Sequence, residues 1–199
     1  TQDMEKEFRP NGYVWTILQQ SGDRYVYDAV KQGYNLGWQE QIPQDIAVGI
    51  DTTQPNLLER RKEWNRPTAE PWALPTEIWR ETIERLQRCE HILHKIATGE
   101  LTQINDFITY NLDIRQFVQD ILTHTSNHKL VAHFYHALQQ VTILDPTCGS
   151  GAFLFAAMNI LEPLYEVCIE RMQEFHELNN KLFIAELEEI SHKYRSNIQ

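Results

Sequence analysis

Apolar residues recur along most of this chain with a period near four, and runs of a different kind break the pattern in two places. Ile114, Phe117, Val118, Ile121 and Leu122 fall at i, i+3, i+4, i+7 and i+8 behind Asp113. That spacing predicts an amphipathic helix with an acid in its first turn. Upstream, Thr76 and Glu77 follow Pro75 as start signals, and Trp79, Ile83, Leu86, Leu93 and Ala97 mark one face of a helix that Gly99 stops. A short helix is expected over 103–108, and another near 129–139 that buries Leu130, Val131, Phe134 and Leu138. Ala152 to Leu161 is almost wholly apolar and reads as a helix interrupted at Pro163; Leu164, Cys168, Phe175 and Leu178 then carry a further one. The charged segment 181–198 reads as helical, with a strand over 182–185 as the alternative.

The two interruptions have strand character. Tyr13-Val14-Trp15-Thr16-Ile17-Leu18 and Tyr25-Val26-Tyr27 are β-branched and aromatic, and Gln20-Ser21-Gly22-Asp23 between them is a turn signal, so a hairpin is expected. Residues 33–75 mix Gly, Pro, Asn and Asp with short apolar pieces and read as loops and single helical turns. At 141 the pattern changes again. Val141-Thr142-Ile143-Leu144 suits a buried parallel strand, Asp145 to Gly151 a loop, and Ala152 onward an apolar helix. Strand, glycine loop and apolar helix form the opening unit of a nucleotide-binding α/β fold. The expected architecture is mainly α, with a small N-terminal β-hairpin and the first strand–loop–helix unit of an α/β Rossmann-like domain. Three regions follow: a β/loop region over 1–72, a helical region over 73–140, and the start of the Rossmann-like domain over 141–199.

Composition narrows the chemistry. Of 199 residues, 42% are hydrophobic, which excludes a disordered tail, and eight Gly with eight Pro exclude collagen-like or linker composition. The longest unbroken apolar run, Ala152 to Met158, is far short of a bilayer span, so no membrane insertion is expected. Cys89, Cys148 and Cys168 include no C-x-x-C pair, which argues against a disulfide framework or zinc ribbon and suits a cytoplasmic setting. The net charge of −10 disfavours a free-standing nucleic-acid binder, though not an enzyme whose DNA contacts lie in another segment.

The loop at 145–151 holds the candidate chemistry. Gly149 and Gly151 let the backbone turn sharply, and the N–H groups opening the next helix favour an anionic group. No Lys follows Gly151, as a P-loop requires, and Leu154 stands where a dinucleotide fingerprint needs its third glycine. Asp145 also suits a ligand with a cationic part. S-adenosylmethionine, with a sulfonium and an ammonium, is such a ligand.

Asp145-Pro146-Thr147-Cys148-Gly149-Ser150-Gly151-Ala152-Phe153-Leu154 closely resembles the cofactor motif D-P-[AT]-C-G-S-G-x-F-L of adenine-N6 DNA methyltransferases from restriction–modification and related phage-defence systems. Residues 73–80, 108–117 and 160–166 look like the flanks of that motif in large methylase proteins of the type IIG and type I kind, so the resemblance covers roughly 60–199. It implies S-adenosylmethionine as cofactor, Asp145 on its methionine side, and Pro146, Thr147, Cys148, Gly149 and Gly151 around it. In this family a helix ahead of the first strand, commonly introduced by Tyr-Thr-Pro, adds a second contact. Tyr110 and Asn111 stand at that place, and only the Tyr matches.

The family's transfer loop, [DNS]-P-P-[YFW], holds the adenine amino group and stacks on the flipped base. No such tetrapeptide occurs here, so no catalytic residue is assigned. The expectation is the N-terminal part of a methyltransferase domain, cut before that loop, with double-stranded DNA contacted by parts of the parent outside this chain. A non-catalytic helical interaction module, or a methyltransferase acting on RNA or protein, are the alternatives. His124, His128, His133 and His136 have spacings that could bring metal ligands together, but no Cys or H-E-x-x-H pattern supports a metal, and none is assigned. Arg60-Arg61-Lys62 reads as a solvated basic face rather than a phosphate contact.

Overall fold

A computed structural model describes residues 2–196, with side chains for 5–193. About 63% of the chain is helical. In order, the helices are α1 (Gln2–Glu7), α2 (Tyr13–Gln20), α3 (Asp28–Lys31), α4 (Trp38–Gln41), α5 (Gln44–Ala47), α6 (Leu57–Arg60), α7 (Trp79–Ala97), α8 (Ile104–Thr109), α9 (Ile114–His124), α10 (His128–Gln139), α11 (Ala152–Leu178) and α12 (Ile184–Ser196). Single 3-10 turns lie at Tyr34–Leu36 and Lys62–Asn65. The chain forms two compact units, Trp15–Asp113 and a second composed of Thr1–Val14 with Ile114–Gln199.

In the unit Trp15–Asp113, α7 is the axis. Its buried face is Trp79, Thr82, Ile83, Leu86, Cys89, Ile92 and Ile96, one stripe at three- and four-residue intervals. Trp38, Ile42, Ile46 and Trp64 from the irregular stretch pack on its first half, and the Trp64 indole N–H donates to the Ile46 carbonyl at 3.0 Å. The loops are stitched by arginine. Arg85 donates to Glu77 through Nε and Nη2, and to the carbonyls of Val30, Gln32 and Trp72. Gly99, at φ 70°, ends α7: its N–H reaches the Ile96 carbonyl and that of Glu100 reaches Lys95, the paired bonds of a Schellman cap.

In the second unit α9 and α10 pack on α11. Leu122, Val131, Tyr135, Leu138, Leu164, Cys168, Met172 and Phe183 make its core, with the Tyr135 and Tyr165 rings edge to face at 6.0 Å. Asn127 caps α10 through Oδ1 to the Lys129 N–H at 3.1 Å and ties down α1 through Nδ2 to Glu7 at 2.9 Å. Arg171 donates to the Thr125 carbonyl, pairs with Glu174 and lies over the Phe175 ring.

Three expectations are corrected. The N-terminal hairpin does not form. Residues 13–20 are helix α2, because Val14, Trp15 and Leu18 share a buried face while Thr16, Gln19 and Gln20 are exposed; packing on a helical period overrides β-propensity. Of the second arm, Val26 makes one isolated antiparallel bridge to Leu112. The strand–loop–helix unit of a Rossmann-like sheet is absent too, since there is no β-strand among the described residues. Residues 141–145 have no regular secondary structure and no ladder partner, and Leu144 is 88% exposed. A buried parallel strand needs a neighbour to take its N–H and C=O groups; here the Val141 N–H turns back to the Leu138 carbonyl at the end of α10, and no ladder forms among the described residues.

The third correction concerns Pro163, which does not stop the helix: α11 runs unbroken for 27 residues. By length and composition alone it could cross a bilayer, with mean hydropathy 1.5 over its most apolar stretch. Glu162, Pro163 and Glu166 lie within it, and Leu164, Cys168 and Met172 are buried in the core. The alternative strand over 182–185 does not form, and the expected last helix, ending at 198, extends outside the described residues.

Candidate loop at the N-terminus of the long helix

The loop between the irregular segment 141–144 and α11 is shaped by Asp145. Its Oδ1 accepts the Thr147 N–H at 2.9 Å and the Thr147 hydroxyl at 3.2 Å, an Asx turn that folds the chain back at Pro146. Gly149 and Gly151 follow at φ 49° and 76°, left-handed values that a side chain disfavours. A Cβ on Gly149 would meet Thr147 O at 3.6 Å, and one on Gly151 the Phe155 ring at 3.6 Å, both ordinary contacts. The glycines are therefore required by conformation, not by crowding. Gly151 is the N-cap of α11: its N–H closes the turn onto the Cys148 carbonyl at 2.7 Å, and its carbonyl accepts the first helical bond, from Phe155. No side chain caps this helix, so its first N–H groups face outward without an intrahelical partner.

The second oxygen of Asp145 stands apart. Oδ2 is buried and has no hydrogen-bond partner, a state shared among the described side chains only with Nε of Arg171. Pro146, Thr147, Cys148 and Gly149 are exposed around it. Phe153 and Phe155, on the first turn of α11, are 78% and 64% exposed.

Tyr110 and Asn111 belong to the unit Trp15–Asp113, whereas 145–151 belong to the other, so the structure describes these two parts of the expected site separately. The Tyr110 ring lies tilted against His91 at 6.3 Å. Asn111, at φ 52°, follows α8 as its left-handed capping residue, with its N–H on the Ile108 carbonyl and that of Leu112 on Phe107. That is a second Schellman cap, and it accounts for Asn111 without a ligand.

The other candidate groups have local uses. Nδ1 of His124 donates to the Asp120 carbonyl and Nδ1 of His133 to Lys129, each one turn back. His136 lies 3.5 Å from Glu186, and His128 sits edge-on to Phe175 and Phe183. Arg60 chelates the carbonyls of Val48, Asp51, Gln54 and Pro55, and Arg61 donates to Gly49 and covers the Trp64 ring at 4.0 Å. The basic knot thus holds the loop 48–55 together, a role that charge spacing alone did not disclose. Burial pushes the Cys89 thiol up to about 11 and the Cys168 thiol up to about 12, while Cys148 in the loop is exposed.

No family model, no curated protein and no solved structure matches the chain.

Proposed function

We propose that this chain is part of an adenine-N6 DNA methyltransferase of a restriction–modification or phage-defence system, and that the loop Asp145–Gly151 is its element for S-adenosylmethionine. The observation that carries the reading is the unpartnered Oδ2 of Asp145 within a motif of that type. A buried carboxylate oxygen without a donor costs on the order of 1–3 kcal/mol, and a cationic ligand group relieves that cost. The residues fit the amino-acid end of the cofactor, where Asp145 would take the ammonium or sulfonium side. The outward N–H groups opening α11 and the backbone of Thr147 to Gly151 would take its carboxylate. When bound, the cofactor supplies an electrophilic methyl group. The chain carries no [DNS]-P-P-[YFW] loop to present an adenine to it, and DNA recognition belongs to other parts of the parent.

Calorimetric titration of the whole chain with S-adenosylmethionine tests this. Saturable binding is expected, weakened at least ~tenfold by Asp145→Asn, which keeps the shape and removes the charge. Gly149→Val should weaken it comparably through its left-handed φ, and Glu162→Gln should leave it unchanged. Absence of saturable binding, or equal affinity in Asp145→Asn, overturns the proposal. A helical interaction module is the second reading, favoured by one observation: Phe153, Phe155, Met158 and Ile160 are exposed on one helix.

A further inference from the structure

We propose that the groove between α11 and α12 is a docking site for a basic amphipathic helix of a partner protein. The groove has a volume of about 530 Å³; Ile169, Leu187 and Ile190 form its aliphatic floor, and Glu166, Glu170 and Gln173 rise along one wall. Residues 166–173 span about two helical turns, roughly 10 Å, which is room for apolar anchors from i to i+7 on one face. The floor side chains are half-buried and remain open to a partner.

Charge decides what kind of partner. Glu166 and Glu170 are exposed, and neither is ion-paired among the described residues; Glu162 and Glu177 continue the acidic character of α11 on either side. The Lys and Arg side chains described on the two helices are engaged elsewhere, Arg171 with Glu174 and Lys193 with Glu189 at 2.5 Å. Such a wall repels a phosphate backbone. It also repels a second copy of this chain, whose net charge is −10. A helix with apolar anchors flanked by Lys or Arg satisfies both the floor and the wall. The site does not depend on the cofactor reading: Glu166 lies fifteen residues along the helix from the cap at Gly151, roughly 22 Å away.

The test is fluorescence anisotropy of the whole chain with a labelled peptide, its leucines at i, i+3, i+4 and i+7 and its lysines flanking them. A scrambled peptide of identical composition is the control. The ordered peptide should bind at least ~tenfold more tightly. Glu166→Gln with Glu170→Gln, both exposed positions that do not threaten folding, should weaken it about tenfold and flatten its salt dependence. Ile169→Ser should weaken it without altering the salt slope. Amide shifts on binding should centre on 166–173 and 187–191. Equal binding of the two peptides, an unchanged affinity in the double Gln variant, shifts centred on 152–160, or tighter binding of a short DNA duplex at the groove would each overturn the proposal.

Discussion

Arg85 and Glu77 are 11% and 13% exposed and make the most heavily bonded ion pair described in the unit Trp15–Asp113. Burial alone would raise the Glu77 pKa. The bonds from Arg85, the Leu74 N–H and the Thr82 hydroxyl, with the attraction of Arg85, outweigh it and hold the carboxyl below its ordinary 4.5. A depressed folded-state pKa contributes stability above the unfolded value and loses it as pH falls through the folded one. The melting temperature should therefore drop as pH is lowered below about 4.5, and Glu77→Gln should flatten that part of the profile. Arg85→Met strands a buried carboxylate and three carbonyls, and should cost about 3 kcal/mol in denaturant unfolding at neutral pH. Adding Glu77→Leu to it should recover part of the loss, because the stranded charge is then gone.

Asn111 gives a sharper discrimination at the same scale. Its left-handed φ and the two bonds around it define a helix cap. Asn111→Gly should leave stability within about 0.5 kcal/mol of the parent or raise it, whereas Asn111→Ala should cost about 1 kcal/mol. If Asn111 instead contacts cofactor, Asn111→Gly weakens S-adenosylmethionine binding while thermal stability holds. Calorimetry and a melting curve on that variant separate the two roles.

At the scale of elements, Asn127 joins two helices, capping α10 and holding Glu7 of α1. Asn127→Ala should cost about 1 kcal/mol, the usual worth of a lost N-cap, and Asn127→Asp should retain the cap but repel Glu7. Hydrogen exchange at the first turn of α10 reports both. How far such elements were legible depended on the kind of signal. The helix spacings at 79–97, 114–124 and 128–139 gave long segments directly, because part of each expected stripe is buried: Trp79, Ile83 and Leu86, then Phe117, Ile121 and Leu122, then Leu130, Val131 and Leu138. Detail shifted within them: Tyr135 is buried beside a half-buried Phe134 on the same core, Ile92 and Ile96 are buried where Leu93 and Ala97 were expected, and Ile114 is exposed. Residues 13–20 and 141–144 misled for one reason. Short β-branched runs do not reveal whether partners exist, and pairing is decided by the rest of the chain. The loop was legible as a loop with two special glycines. The stranded oxygen of Asp145 was not, since residue types do not say which of its oxygens Thr147 engages.

At the scale of the whole molecule, the residues from Val141 to Ile160 are out of balance with the rest. Ile143, Leu144, Phe153, Phe155, Met158 and Ile160 are all exposed, in an irregular segment and the helix that follows it. A helix that is apolar nearly all round is ordinarily covered, and a segment that joins no ladder can offer backbone N–H and C=O groups for pairing. A net charge of −10 opposes association at long range, but salt screens it over roughly 10 Å at 0.1 M. The patch should then prevail. Sedimentation velocity should show larger species that grow with protein concentration and with added salt. Leu144→Ser combined with Phe153→Ser should return the chain to monomer without lowering its melting temperature, because both side chains are solvent-exposed and outside the packed cores. A chain that stays monomeric at every concentration and salt, with no binding of a hydrophobic dye, would mean that these apolar residues are covered by the chain itself in solution.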